Sequence, residues 1–120
     1  MNDVGKELIE EVCLEIGEGW QTLIGDLCEE IDMAYKRAKL PMDVSVNQVK
    51  SKYGKLCFYY FHEDYKEQER KESHLELHKE VRRIVNKYEE ISKVVCERCG
   101  KQGNLHDVSG WSEVLCDNCM

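Results

Sequence analysis

Residues 96–119, CERCGKQGNLHDVSGWSEVLCDNC, hold two Cys-x-x-Cys pairs, Cys96/Cys99 and Cys116/Cys119, with sixteen residues between them. That is the ligand spacing of a tetrahedral zinc site. Four cysteines fill all four coordination positions, so the site is closed and structural. Gly100, directly after the second cysteine, permits the tight turn that aims backbone amides at sulfur. Cys116-Asp117-Asn118-Cys119 is the matching second knuckle. Between the knuckles Leu105, Val108, Trp111, Val114 and Leu115 predict a short hairpin, with turns at Gly103 and Gly110. A segment this short cannot bury a core. One structural Zn2+ would therefore supply its folding free energy, on the order of 10 kcal/mol or more. An iron centre of the rubredoxin type and a pair of disulfides are the alternatives. A reducing compartment disfavours the disulfides.

Upstream of this ribbon the pattern is helical. From about Asp64 to Lys93 there is no Gly or Pro, and Leu77, Val81, Ile84, Val85, Tyr88 and Ile91 mark one face. This predicts one long amphipathic helix that packs its C-terminal half on a core and presents its N-terminal half to solvent. Residues 44–61 change period. Val44 and Val46 alternate, as do Leu56, Phe58 and Tyr60, with Cys57, Tyr59 and Phe61 on the opposite face. Tyr53-Gly54-Lys55 supplies a turn, so a β-hairpin is expected. Both faces of its second strand are apolar or aromatic, which predicts helices over at least one of them. Before it, Trp20, Leu23, Ile24, Leu27, Ile31, Ala34 and Ala38 form the stripe of a helix that Pro41 ends. Its acids precede its bases, as the helix dipole favours. Val4, Leu8, Val12 and Ile16 predict a further helix from about 3 to 16, closed by Gly17 and Gly19. The expected architecture is α+β: two N-terminal helices, a β-hairpin, a long helix and a C-terminal zinc ribbon built on four cysteines. The helical and hairpin part spans 1–93 and the ribbon 94–120.

The chain has 120 residues and a formal net charge of −7, unevenly spread. Residues 1–40 carry ten acids against four bases. That balance disfavours non-specific binding to nucleic acid, the usual guess for a small zinc protein. No apolar run approaches the ~18 residues of a membrane span, and the acidic, amphipathic N-terminus is not a signal peptide. The expected compartment is the cytoplasm, with no membrane partner. Cys13, Cys28 and Cys57 sit in apolar patterns and are read as small buried hydrophobes.

Two surfaces stand out as candidate interaction sites. Glu7, Glu11 and Glu15 line the first helix, and carboxylates on one helix face can occupy a basic groove of another protein. Lys50, Lys52 and Lys55 surround the hairpin turn beside Tyr53, Tyr59 and Tyr60. Basic residues interleaved with aromatics can bind single-stranded nucleic acid, although a solvated turn over an aromatic core is the simpler reading. Lys79, Arg82, Arg83 and Lys87 form a smaller basic surface suited to an acidic helix or partner. His74 and His78, four apart, share a helix face and could take a metal. An exposed pair of this kind is more simply solvated, and Leu75 stands where a zinc-protease motif needs glutamate. His62-Glu63-Asp64 reads as a loop and helix N-cap. Asn104-Leu105-His106-Asp107 between two Cys pairs invites comparison with HNH nucleases, but one histidine in so short an insert does not make that site.

Taken together, Gly19-Trp20 with Leu23-Ile24 and Leu27-Cys28, Val49-Lys50-Ser51-Lys52-Tyr53-Gly54-Lys55-Leu56 leading to Phe58-Tyr59, and Cys96-Glu97-Arg98-Cys99-Gly100 with Gly110-Trp111 and Leu115-Cys116-Asp117 form a set. Over residues 19–120 this set resembles a group of small zinc-ribbon proteins of phages and prophages. The resemblance implies a setting, the host cytoplasm, and no activity. The expectation is a non-catalytic zinc-binding protein that docks on a host or defence protein and modulates or inhibits it. Nucleic-acid binding is the alternative, and an HNH-like nuclease ranks third. A homo-oligomer is compatible with the sequence.

Overall fold

The computed structural model describes residues 16–62, 72–108 and 110–120. Six elements follow in order: α1 (Glu18–Ala38), β1 (Val44–Lys52), β2 (Lys55–His62), α2 (Glu72–Ser92), β3 (Asn104–Val108) and β4 (Trp111–Leu115). β1 with β2, and β3 with β4, form two separate antiparallel two-stranded sheets. The molecule is α+β, with helices set against antiparallel hairpins. The helix expected over 3–16 and the start of the long helix before Glu72 lie outside the described residues.

The β1–β2 hairpin is closed by the two-residue turn Tyr53-Gly54, flanked by the pair Lys52/Lys55. Both turn residues have positive φ, 53° and 76°. Glycine adopts that backbone freely, and a two-residue turn of this twist matches the strands it joins. One irregularity decides which side chains face inward. The register passes from Val46/Tyr60 to Gln48/Tyr59, leaving Asn47 as an extra residue. This bulge shifts the alternation by one. Val44 and Val46 are buried before it and Val49 after it, all on the same face as Leu56 and Phe58.

A lone two-stranded hairpin is marginal in water and needs a packed face. α1 and α2 supply it. They run antiparallel, since Arg37 meets Glu80 at 2.8 Å while Glu30 meets Lys87 at 2.7 Å. Trp20, Ile24, Leu27 and Ile31 of α1, Leu77, Val81 and Val85 of α2, and Val49, Leu56 and Phe58 of the hairpin form one core. Burying each such side chain contributes roughly 1.5–3 kcal/mol. Val114 of β4 joins the same cluster.

α2 also covers the free edge of β2. The Leu56 amide donates to Ser92 Oγ and the Phe58 amide to Glu89 Oε2, both at 2.9 Å. Two side chains thus take the place of a third strand, satisfying amides that an open edge would leave bare. This changes the expected core face of α2. Ser92 is fully buried, whereas Ile91, expected to be buried, is 36% exposed. Packing also reaches further toward the start of this helix than expected, because Leu77 is buried and His74 and His78 are half-buried. Among the other cysteines, Cys28 is buried as expected; Cys57 lies on the outer hairpin face and is only half-buried, and Cys13 lies outside the described residues.

Candidate metal centre

The first cysteine knuckle begins where α2 stops. Val95 bridges to Gln102, and the Cys96 amide donates to Lys101 O at 2.7 Å, folding the first knuckle into a tight loop. Gly100 turns it with φ 84°. β3 and β4 then carry the chain across and back to Cys116, where the Cys119 amide donates to Cys116 O. The sulfurs of Cys96, Cys99, Cys116 and Cys119 all lie within 4.8 Å of one another, and Cys99 and Cys116 are 3.4 Å apart. A tetrahedron with metal–sulfur bonds of about 2.3 Å has edges of about 3.8 Å. These four cysteines could therefore hold one metal ion. Each is a free thiol, with no disulfide among them.

The backbone prepares the site electrostatically. Burial pushes the Cys96 thiol up, but amides of Cys99, Cys116 and Arg98 point at its sulfur and hold it at about 6. Contact with Cys116 pushes Cys119 up to about 12. Those amides favour the thiolate of Cys96, which is the form that ligates metal.

The first knuckle is also the N-terminal cap of α1. Gly17, at the cap position, makes no side-chain cap bond. Instead the Gly19 amide donates to Glu97 O at 2.9 Å, and the Trp20 indole Nε1 donates to Val95 O at 2.8 Å. One of the amide donors that every helix start leaves without an intrahelical partner is thus satisfied by the metal loop. The approach is so close that a Cβ on Gly19 would sit 2.1 Å from Cys96 O and 2.5 Å from Gly100 N. Gly19 therefore belongs to α1 and does not end a preceding helix. Glu97 closes the other side: its amide donates to Val114 O at 2.9 Å, and its carboxylate accepts from the Val114 amide at 2.7 Å.

The candidate basic surface is a single face. Lys50, Lys52 and Lys55 all lie on the outer side of the hairpin with Cys57, Tyr59 and Phe61, opposite the packed side. Lys50 Nζ lies 5.5 Å from the centre of the Tyr59 ring and Lys52 Nζ 6.0 Å from that of Tyr53. Tyr53 is 80% exposed, and Trp111 of the ribbon is 69% exposed. Gly54 brings the two hairpins together, since a Cβ there would lie 2.3 Å from a Leu105 methyl. The acidic candidates Glu7, Glu11 and Glu15 lie outside the described residues. Lys87 of the smaller basic surface pairs with Glu30, which also accepts a hydrogen bond from Tyr88 Oη.

A second group was not legible as a group in the sequence. Asp43, His62 and His78 converge at the open end of the β1–β2 hairpin. His62 and His78, read separately as a loop residue and half of a solvated pair, stack on each other with ring centres 3.6 Å apart. Asp43 and Tyr35 belong to no spacing motif. Burial pushes the Asp43 carboxyl up, but hydrogen bonds from His62, Tyr35 and His78 outweigh it and hold it at about 2. His106 belongs to neither cysteine nor histidine group. No helix among the described residues is long and apolar enough to cross a membrane. The chain matches no protein-family model, and neither a curated protein nor a solved structure is significantly similar to it.

Proposed function

We propose that this chain is a non-catalytic, zinc-stapled interaction protein that docks on another protein through the outer face of its β1–β2 hairpin. The carrying observation is the asymmetry of that hairpin. Its inner face is packed against both helices, while its outer face presents Lys50, Lys52, Lys55, Tyr59 and Phe61 beside the exposed Tyr53. Exposed aromatic rings are enriched in protein-binding surfaces, and the lysines around them complement an acidic partner. Zinc is the ion we assign to the four cysteines. It takes tetrahedral thiolate sets without redox chemistry, and such a closed set leaves no position for a substrate. In the phage or prophage setting that the motif set resembles, the partner is a host or defence protein whose activity the chain modulates.

Capture from host lysate tests this, using the zinc-loaded full chain against its Lys50→Glu/Lys52→Glu/Lys55→Glu variant, with mass spectrometry as the readout. A partner held by the parent and lost by the folded variant is expected. Capture of nothing, or equal capture by both, refutes the docking face. Elemental analysis should find zinc in the purified chain, and the red colour of an iron–thiolate centre would overturn that assignment.

A second reading has its own observation. The lysines lie over Tyr53 and Tyr59, so the same face offers rings for base stacking beside cations for phosphate. Binding of a single-stranded probe that weakens steeply with salt supports it, and absence of binding at low salt removes it.

A further inference from the structure

We propose that Asp43, His62 and His78 form a second metal site, independent of the cysteines, for a divalent first-row transition ion such as zinc. The three residues come from separate places: the loop before β1, the last residue of β2, and the second turn of α2. The hairpin's open end and the helix bring them together. His62 Nδ1 lies 3.1 Å from Asp43 Oδ1, and His78 Nε2 lies 3.1 Å from Asp43 Oδ2. One oxygen or nitrogen from each residue falls within 4.8 Å of the others. Zinc bonds to nitrogen and oxygen of about 2.0–2.1 Å give a tetrahedral edge of about 3.3 Å. Each imidazole nitrogen therefore already lies at ligand separation from an oxygen of the Asp43 carboxylate.

Donor chemistry selects the ion class. Two imidazoles with one carboxylate suit zinc, iron, cobalt or nickel, whereas magnesium and calcium take oxygen sets. The side chains are 16–19% exposed, sheltered yet reachable. Tyr35 Oη donates to Asp43 Oδ1 and lies 3.3 Å from His62 Nδ1, orienting the carboxylate as outer groups of metal sites do. His74, one turn before His78, has a buried Nδ1 with no hydrogen-bond partner among the described residues. Three of the chain's four histidines thus gather at this end of the fold.

In the metal-free arrangement each imidazole donates a proton to one Asp43 oxygen, and the two rings lie 19° from parallel. A bound ion takes the place of those two N–H protons, which move to the opposite ring nitrogens. The rings must fan apart for both lone pairs to converge. Three protein ligands leave one coordination position for water or an exogenous donor, in contrast to the closed cysteine set.

Cobalt(II) titration of the full chain separates the two sites. Thiolate ligation gives intense sulfur-to-cobalt charge-transfer absorption, and a nitrogen and oxygen set gives only weak ligand-field bands. The parent should bind two equivalents, one of each kind. His78→Gln and Asp43→Asn should lose the second equivalent, or weaken it at least tenfold, while keeping the charge-transfer bands that report an intact ribbon. Should those variants not fold, zinc titration of the parent already loaded at its cysteines decides by NMR. The ring resonances of His62 and His78 should move, and those of His106 should not. A parent that binds one equivalent, a second equivalent unaffected by both folded variants, or unmoved His62 and His78 resonances overturns the site.

Discussion

Alanine at Gly19 and alanine at Gly25 should act in opposite directions, although both glycines lie in α1. In a helix interior Gly→Ala gains roughly 1 kcal/mol of intrinsic propensity. Nothing lies within 4 Å of a Cβ on Gly25, so Gly25→Ala should keep that gain. At Gly19 the new methyl would meet Cys96 O at 2.1 Å, Gly100 N at 2.5 Å and Glu97 C at 2.8 Å. All three are backbone atoms of the metal loop and cannot rotate aside. Helix and loop must therefore separate by on the order of 1 Å to restore van der Waals contact. That stretches the Gly19–Glu97 bond from 2.9 Å and the Trp20–Val95 bond from 2.8 Å past useful length. Each buried group left unpaired costs about 1–3 kcal/mol, so the loss is about 2–6 kcal/mol before any disturbance of Trp20 packing.

Set against the propensity gain, Gly19→Ala should lose roughly 1–5 kcal/mol. At about 3–6 °C per kcal/mol, between the values for smaller and larger domains, its Tm should fall by about 3–30 °C and that of Gly25→Ala rise by a few degrees. Thermal unfolding followed by circular dichroism, with one equivalent of zinc present, reads both. Transfer of zinc to a chelator should also be faster from Gly19→Ala, because the damaged contact belongs to the metal loop. Equal stabilisation by the two alanines would refute the idea that the first knuckle caps α1.

Cys96→Ser or Cys116→Ser should abolish thiolate-type metal binding and unfold the β3–β4 hairpin, visible as lost sulfur-to-cobalt charge-transfer absorption and lost ribbon amide dispersion, since a metal held there would supply most of that segment's stability. Ser92→Ala should cost about 1–3 kcal/mol in urea unfolding, because it strips the buried Leu56 amide of its acceptor; an unchanged midpoint would mean the edge of β2 is satisfied otherwise. Lys87 and Tyr88 hold the Glu30 carboxyl below its ordinary value. A folded-state pKa below the unfolded one contributes stability above the ordinary glutamate value of about 4.3, and that stability is lost as pH falls through the folded value. Glu30→Gln should therefore lower stability at neutral pH and flatten the acid limb of the stability–pH curve.

The parts legible from residues alone were those written as local spacing. The Cys pairs declare a tetrahedral quartet because ligand number and separation are set within each knuckle. The hairpin shows because Tyr53-Gly54 sits between alternating runs. What escaped depends on tertiary approach. The bulge at Asn47 lets Val46 and Val49 share a face that strict alternation separates. Ser92 outranks Ile91 for burial because a strand edge needed an acceptor there. Gly19 looked like a helix terminator because glycine usually is one, but here its missing Cβ admits the metal loop. Asp43, His62 and His78 sit on segments joined only by folding, so no window of sequence contains them as a set.

The two metal-capable groups mark opposite ends of one structure. Trp20 contacts the cysteine loop and Tyr35 contacts Asp43, fifteen residues apart on the same helix. At about 1.5 Å per residue that is roughly 22 Å. The hairpin repeats the arrangement, with its turn against the ribbon at Gly54 and its open end at His62. The core between them rests on one two-stranded sheet and two helices, which leaves both ends of the sheet poorly closed. At one end the cysteine loop caps α1 and packs on the turn. At the other, Asp43 draws together the loop before β1, the end of β2 and the start of α2. Removing either clamp should therefore loosen its own end first. Hydrogen exchange should show this as amides near Trp20 responding to cysteine substitution and amides near Tyr35 and His62 to Asp43→Asn. Uniform loosening of the whole core by either change would mean the fold is one cooperative unit with no separable ends.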